Sequence, residues 1–357
     1  DYTSAFGNNF DGYTVIKDSQ EYALSFGGEL TDETLQQIVS DYQQMEADGV
    51  EEEREKTDWQ IVNSWLGTLY PELRDTSNYK TMISYVDPDK LTGFYERRQQ
   101  VLDEFLEVSG QVGAEKEFLH QIERKVEKPF HYEWVEGWST LLGSMVADLG
   151  VVMALFLGIV LSSLFAGEWH DNTSTLVLTT RNGWGKIALA KILTGLAFTV
   201  ELFALLAVSS VISQLFFMGT AGWDMPIQNI KLIAVAPMNM LQAEIYEYAF
   251  VLLGAIGFAG IVMFISAAVK NNVLTLLLSL AVVYGPMMIA EYLPYKMQKA
   301  LDLIPLVGSS TDIFRTNTFR IFGKLIWSPY LLITIPVLIG ILCMPFAIKS
   351  WSKRMKA

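Results

Sequence analysis

The spacing of apolar positions changes character near residue 145. Ahead of that point, apolar side chains recur at helical intervals among charged ones. Thr31 is a candidate N-cap, with Thr34, Leu35, Ile38 and Val39 following at the spacing of one helix face. Gln36 to Glu55 is polar and ends in the acidic cluster Glu51, Glu52, Glu53 and Glu55. Trp59, Ile61, Val62, Trp65, Leu66 and Leu69 form a second stripe before Pro71, Asp87-Pro88-Asp89 marks a turn, and Phe94 to Phe118 is a long amphipathic run carrying Leu102, Phe105, Leu106 and Val108. This pattern predicts a mainly helical domain over residues 1–140. Lys128-Pro129-Phe130-His131 is the expected hinge into the apolar half of the chain, with Trp134 and Trp138 as interfacial anchors.

Beyond residue 145 the apolar residues run together. A bilayer-crossing helix needs about 20 mostly apolar residues, because only a helix satisfies its own backbone within hydrocarbon. Five stretches qualify, over about 149–166, 192–218, 249–269, 273–290 and 329–348. Only the second contains a charge, Glu201. Pro286, Pro336 and Pro345 predict kinks. The expected fold class is an α-helical polytopic membrane protein, with a transmembrane domain over 141–357.

Charge divides at the same place. Residues 1–144 hold 12 Lys and Arg against 29 Asp and Glu, a net −17, while the remainder holds 14 against 10, a net +4. The whole-chain charge of −13 is an average over an acidic half and a mildly basic one. That balance argues against nucleic-acid binding. Lys349, Lys353, Arg354 and Lys356 in the tail, with Arg181, Lys186 and Lys191 in the loop 167–191, predict that both face the cytoplasm. Five spans then place the acidic domain outside. The longer loop 291–328, with Lys296, Lys299, Arg315, Arg320 and Lys324, opposes this assignment. An outward domain starting at Asp1 also predicts a leading segment, either a sixth transmembrane helix or a cleaved signal sequence.

Enzyme signatures are absent from the sequence. Gly185-Lys186 lacks the earlier glycine of a phosphate loop and is followed by Ile187 in place of Ser or Thr. His120, His131 and His170 are scattered, and the one cysteine, Cys343, can form neither an intrachain disulfide nor a cysteine metal site. No catalytic, cofactor-binding or metal-binding residue is therefore expected. Glu201 is a different case, because a carboxylate within a span is costly unless it faces the bundle interior or a wet cavity. It is a possible transport-pathway residue or an interhelical hydrogen-bond partner.

The segment Glu168 to Lys191 reads E-W-H-D-N-T-S-T-L-V-L-T-T-R-N-G-W-G-K-I-A-L-A-K. It resembles the first cytoplasmic loop of ABC transporter permeases of the type-2 export family, in the variant with a large extracellular domain. Glu168, Thr173, Leu176, Leu178, Gly183, Lys186 and Lys191 match that pattern, while Asn172, Arg181 and Trp184 stand where Gly, Pro and Arg are usual. The resemblance implies six spans, an outer domain between the first two, and a coupling helix bearing Glu168, Thr173, Leu176, Leu178, Arg181 and Lys186. It also implies an ATP-driven exporter subunit in a bacterial plasma membrane, handling an amphipathic peptide, antimicrobial, lipid or drug-like cargo. Its partners would be separate cytoplasmic ATPases, which hold the ATP and Mg, and a second copy or a related permease. The alternative is a membrane sensor or scaffold whose outer domain binds a ligand and signals through a partner.

Overall fold

The computed structural model describes residues 2–3, 9–10, 20, 27–48, 58–75, 80–171, 173, 185–307 and 317–353. The chain forms two compact units. The first comprises residues 1–141, 212–244 and 316–318, and the second residues 142–211, 245–315 and 319–357.

The first unit is built on α1 (Asp32–Ala47), α2 (Asp58–Leu69), α3 (Phe94–Val108) and α4 (Ala114–Glu123). Two short strands, β1 (Tyr2–Thr3) and β2 (Asn9–Phe10), pair antiparallel. Thr31 caps α1 as its sequence predicts, its Oγ1 accepting from the Thr34 amide at 3.2 Å. The cap of α3 comes from far away in sequence. Gly93 takes a left-handed φ of +72°, and the Asp32 carboxylate accepts from the amides of Gly93 (2.6 Å) and Phe94 (2.9 Å), two of the orphan donors at a helix start. Leu35, Ile38 and Val39 from α1, Val62, Trp65, Leu66 and Leu69 from α2, and Phe94 from α3 share one buried core.

Within the expected hinge at Lys128–His131, Phe130 belongs to that core, whereas Lys128, Pro129 and His131 are exposed. Phe130 is 1% exposed; its amide donates to Tyr95 Oη and its carbonyl accepts from Leu30. His131–Tyr132 forms β4, antiparallel to β3 (Gly28–Glu29). Trp134 and Trp138, expected as interfacial anchors, are turned toward the chain itself. Both are buried, and their indole N–H groups donate to the carbonyls of Met218 (3.1 Å) and Thr220 (3.3 Å). A tryptophan next to a span has the same sequence signature whether it meets headgroups or a returning loop of its own chain.

The segment 219–239 is integral to the first unit. Arg98, fully buried, donates from Nε to Leu232 O (2.7 Å), from Nη2 to Ala234 O (3.1 Å) and from Nη1 to Glu123 Oε1 (2.6 Å). Lys128 Nζ pairs with the same Glu123 oxygen at 2.8 Å. Burial alone would raise the Glu123 carboxyl, but Lys128 and Arg98 together hold it below the usual carboxylate range. Trp65 Nε1 donates to Asn229 O at 2.9 Å, adding a second tie. Burial also pushes the phenols of Tyr70 and Tyr95 up to about 12.

Among the described residues, five helices are long and apolar enough to cross a membrane: Glu136–Trp169, Lys186–Met218, Met240–Ala268, Asn272–Tyr292 and Ser328–Ser352. The chain is thus a mostly helical, multi-pass membrane protein by the length and composition of these helices. The first is composite, running from α5 (Glu136–Thr140) through a π turn (Leu141–Met145) into α6 (Val146–His170). The others are α7 (Lys186–Met218), α8 (Met240–Ala268), α9 (Asn272–Ile289) and, after the short α10 (Tyr295–Leu301), α11 (Ser328–Lys353). All five begin ahead of the apolar runs that reveal them in the sequence. A hairpin of β5 (Thr318–Ile321) and β6 (Lys324–Trp327) precedes α11, turning at Phe322 and Gly323.

Within the second unit α6 and α8 are the buried helices, with α7, α9 and α11 more exposed. Ser266 of α8 donates to Ser162 O (2.7 Å) and accepts from the amides of Phe165 and Ala166 (both 3.1 Å), stitching α8 to α6. Helices α8 and α11 meet backbone to backbone. A Cβ on Gly257 would stand 2.3 Å from Pro336 O, and one on Gly260 2.4 Å from Gly340 O.

Candidate functional site

The residues picked out by the loop pattern begin where α6 ends. Glu168 lies in the last turn of α6, and its carbonyl accepts from the Thr173 amide at 3.0 Å. Lys186 opens α7 and is exposed. Leu176, Leu178 and Arg181 lie outside the described residues.

What joins the two helices is an ion pair at the base of the loop. Lys191 Nζ stands 2.5 Å from Glu168 Oε1, with side-chain exposures of 16% and 20%. The same ammonium donates to Leu164 O at 2.5 Å. It also sits 5.3 Å from the Phe165 ring centre and 5.5 Å from that of Trp351, both within cation–π range. A half-buried lysine satisfied by a carboxylate, a carbonyl and two aromatic faces is a fixed point, unlike an exposed pair that exchanges with water.

The C-terminal helix closes over this point. Trp351 is fully buried, with Phe165 at 5.5 Å and Trp169 at 5.8 Å between ring centres. Lys270, between α8 and α9, places its ammonium 4.1 Å from the centre of the Trp169 ring. Ends of α6, α7 and α11 and the α8–α9 connection therefore converge on one aromatic and ionic cluster. Four polar atoms here are buried and make no hydrogen bond among the described residues: Glu168 Oε2, Trp169 Nε1, Trp351 Nε1 and Asn272 Oδ1. Such groups carry an energetic penalty unless something satisfies them.

Sequence reasoning found Glu168 and Lys191 but missed Trp169, Trp351 and Lys270. A visible signal existed, since Trp169 adjoins Glu168 and Trp351 adjoins the basic tail, each at the end of an apolar run.

Glu201 is set apart from this cluster. It lies near the middle of α7 and is exposed, on the same side as Leu205 (66% exposed), Val208 and Ile212. It does not point into the helical bundle of its own chain. Among the described residues no group of three or more His, Cys, Asp or Glu is placed to hold a metal ion.

No protein-family model, no curated protein and no solved structure matches this chain.

Proposed function

We propose that this chain is the transmembrane subunit of an ATP-driven exporter for an amphipathic substrate, coupled to separate cytoplasmic ATPase subunits through the loop between α6 and α7. The observation that carries this reading is the Glu168–Lys191 pair. An element that passes a push from a docked ATPase to two spans needs a stiff base. Here the ends of both helices are locked together, and α11 is packed on the same point through Trp351. Movement of the loop is then delivered to three helices as one body.

In this reading the basic loop and tail face the cytoplasm and the acidic first unit lies outside a bacterial plasma membrane. Closure of the ATPases shifts the balance between permease conformations, and a difference in cargo affinity between them gives direction. Glu201 fits the pairing that such exporters need. A carboxylate on the outer side of a span is disfavoured against lipid, so that face of α7 is assigned to a second copy or a related permease.

The test is affinity isolation of the full-length protein from its native membrane, with Leu176→Asp and Leu178→Asp in parallel. An ATPase is expected to accompany the wild type and to be lost from both variants. Isolation of the intact protein with no ATPase under conditions that preserve complexes would overturn the transporter reading in favour of a ligand-binding sensor or scaffold.

A further inference from the structure

The hairpin ahead of α11 turns in two residues, Phe322 and Gly323, between the ends of β5 and β6. Both have positive φ, +48° and +80°, as the central pair of a type I′ turn does. Such a turn favours Asn-Gly, because asparagine tolerates the left-handed region and a bulky side chain does not. A phenylalanine there strains the backbone, and no packing within the chain offsets it, since Phe322 is 103% exposed. A residue unfavourable both in its backbone and in its exposure points to a cover outside the chain.

The surroundings of the turn identify that cover. Strand β6 runs directly into α11, one of the membrane-length helices. Because α9 and α11 are consecutive crossings, the end of α9 and the start of α11 lie at the same membrane face. Tyr292, just past α9, and Tyr330, in the first turn of α11, are 85% and 63% exposed, and tyrosines at span ends sit at headgroup level. Arg320 and Lys324, both exposed, flank the turn with charge suited to lipid phosphate.

The strands agree. In a two-residue hairpin the residues on either side of the turn face each other, so Phe319, Ile321 and Ile326 share one face with Lys324. All three apolar side chains are partly exposed. A hairpin of two strands is marginal in water by itself, and this face needs an apolar neighbour. Standing upright, β6 would lift the turn about 20 Å above α11, at about 3.3 Å per residue. That is beyond a headgroup layer of about 5–8 Å. Laid along the surface, the hairpin gives both the Phe322 ring and this face to lipid, with Lys324 reaching back to the phosphates. A second copy of the chain is a poorer cover, because a stable interface buries about 800 Å² per partner and a turn with one ring offers far less.

We infer that the β5–β6 hairpin is a membrane-surface anchor, with the Phe322 ring inserted among phospholipid headgroups and Arg320 and Lys324 at the phosphates. The inference rests on the membrane-length helices and is independent of ATPase coupling.

The experiment is spin-label accessibility in the full-length protein, held in nanodiscs of phosphatidylcholine and phosphatidylglycerol. Cys343→Ser removes the native thiol, and a nitroxide is placed at Phe322→Cys or at Val108→Cys. Val108 is 89% exposed in the first unit and serves as the water reference. Oxygen concentrates in lipid and a nickel chelate in water, so the ratio of their collision rates reads the surroundings. The ratio at Phe322 is expected to exceed that at Val108 at least threefold. In a second pair the label sits at Leu325→Cys, with and without Phe322→Asn, a substitution that suits the turn and keeps the hairpin folded. Loss of the ring is expected to lower the oxygen-to-nickel ratio at Leu325 at least twofold. Equal ratios at Phe322 and Val108 would place the turn in water, and shielding of the Phe322 label from both agents would place it against a protein partner. Dipolar broadening between labels would place it against a second copy. Each of these results, or an unchanged ratio at Leu325 in Phe322→Asn, would overturn the inference.

Discussion

The two units of this molecule are held together by different means. In the first, segments far apart in sequence are tied by buried donors aimed at carbonyls. Arg98 reaches Leu232 and Ala234, Trp65 reaches Asn229, and Trp134 and Trp138 reach Met218 and Thr220. In the second, the tightest contacts are bare backbone. Gly257 and Gly260 admit α11 at Pro336 and Gly340, and hydroxyls such as Thr199 and Ser279 mostly return to carbonyls of their own helix. The difference matches the composition of the two units, the first holding most of the charge and the second most of the long apolar helices. In water, apolar burial drives collapse, and buried polar groups then need specific partners. Among lipid tails there is no such drive between helices, so close approach through small residues supplies the attraction.

The sharpest way to break the first kind of tie is Glu123→Ala. It leaves the Arg98 guanidinium buried at 0% exposure without its carboxylate, a change that costs about 3–5 kcal/mol. Urea unfolding followed by tryptophan fluorescence should show it as a lower midpoint for the first unit. The matching lesion in the second unit is Gly257→Val. Its new side chain would collide with Pro336 O, an atom of the backbone with little freedom to move, and overpacking of this kind costs about 1–3 kcal/mol. The expected readout is a lower melting temperature in detergent. If Glu123→Ala lowered only the second unit's stability, or Gly257→Val only the first's, the division drawn between them would fail.

These two lesions also mark how much could be read from sequence. The five long helices were legible because lipid imposes a single rule, an unbroken apolar run, and α1 was legible from Thr31 and the spacing of Leu35, Ile38 and Val39. The ties of the first unit were not. Arg98 sits among Arg97, Glu96 and Gln99 in an amphipathic run, and two of its acceptors, the carbonyls of Leu232 and Ala234, lie more than a hundred residues away in an apolar-rich loop. Asp32 looks like a helix-start acid of α1, yet its carboxylate caps α3. Local patterns report which residues prefer burial or a helix end. They do not report which distant carbonyl a buried donor will meet. The candidate site divides in the same way, with Glu168 and Lys191 visible in a loop motif and Trp351 joining them only through tertiary packing.

A smaller effect separates charge from geometry within the first unit. The Glu123 carboxyl is held below its ordinary value of 4.5 by Lys128 and Arg98, against the opposing pull of burial. As pH falls, the unfolded chain therefore takes up this proton before the folded one. The stabilisation is fully present above about pH 4.5, and it is lost as pH drops through the lower folded value. Lys128 is one-third exposed, so Lys128→Met should remove one charge-assisted hydrogen bond worth about 1.5 kcal/mol while leaving Arg98 paired. Urea midpoints measured from pH 7 down to pH 3 should then show a shallower acid loss in Lys128→Met than in the wild type. An unchanged slope would mean that Arg98 alone sets the carboxyl.

The smallest expected effect is the control for all the others. Arg124 and Glu117 form an ion pair at 3.3 Å with side-chain exposures of 67% and 54%. Water and salt screen such a pair, and its net worth is about 0.5 kcal/mol or less. Arg124→Ala should leave the urea midpoint of the first unit nearly unchanged, and added salt should erase what difference remains. Arg124 and Arg98 lie on adjoining helical segments of the same acidic unit, each donating to a glutamate. If the two substitutions Arg124→Ala and Glu123→Ala proved equally harmful, net charge in an acidic unit would be the governing quantity. If only Glu123→Ala is harmful, the unit is held by a few buried donors, and its many surface carboxylates serve solubility.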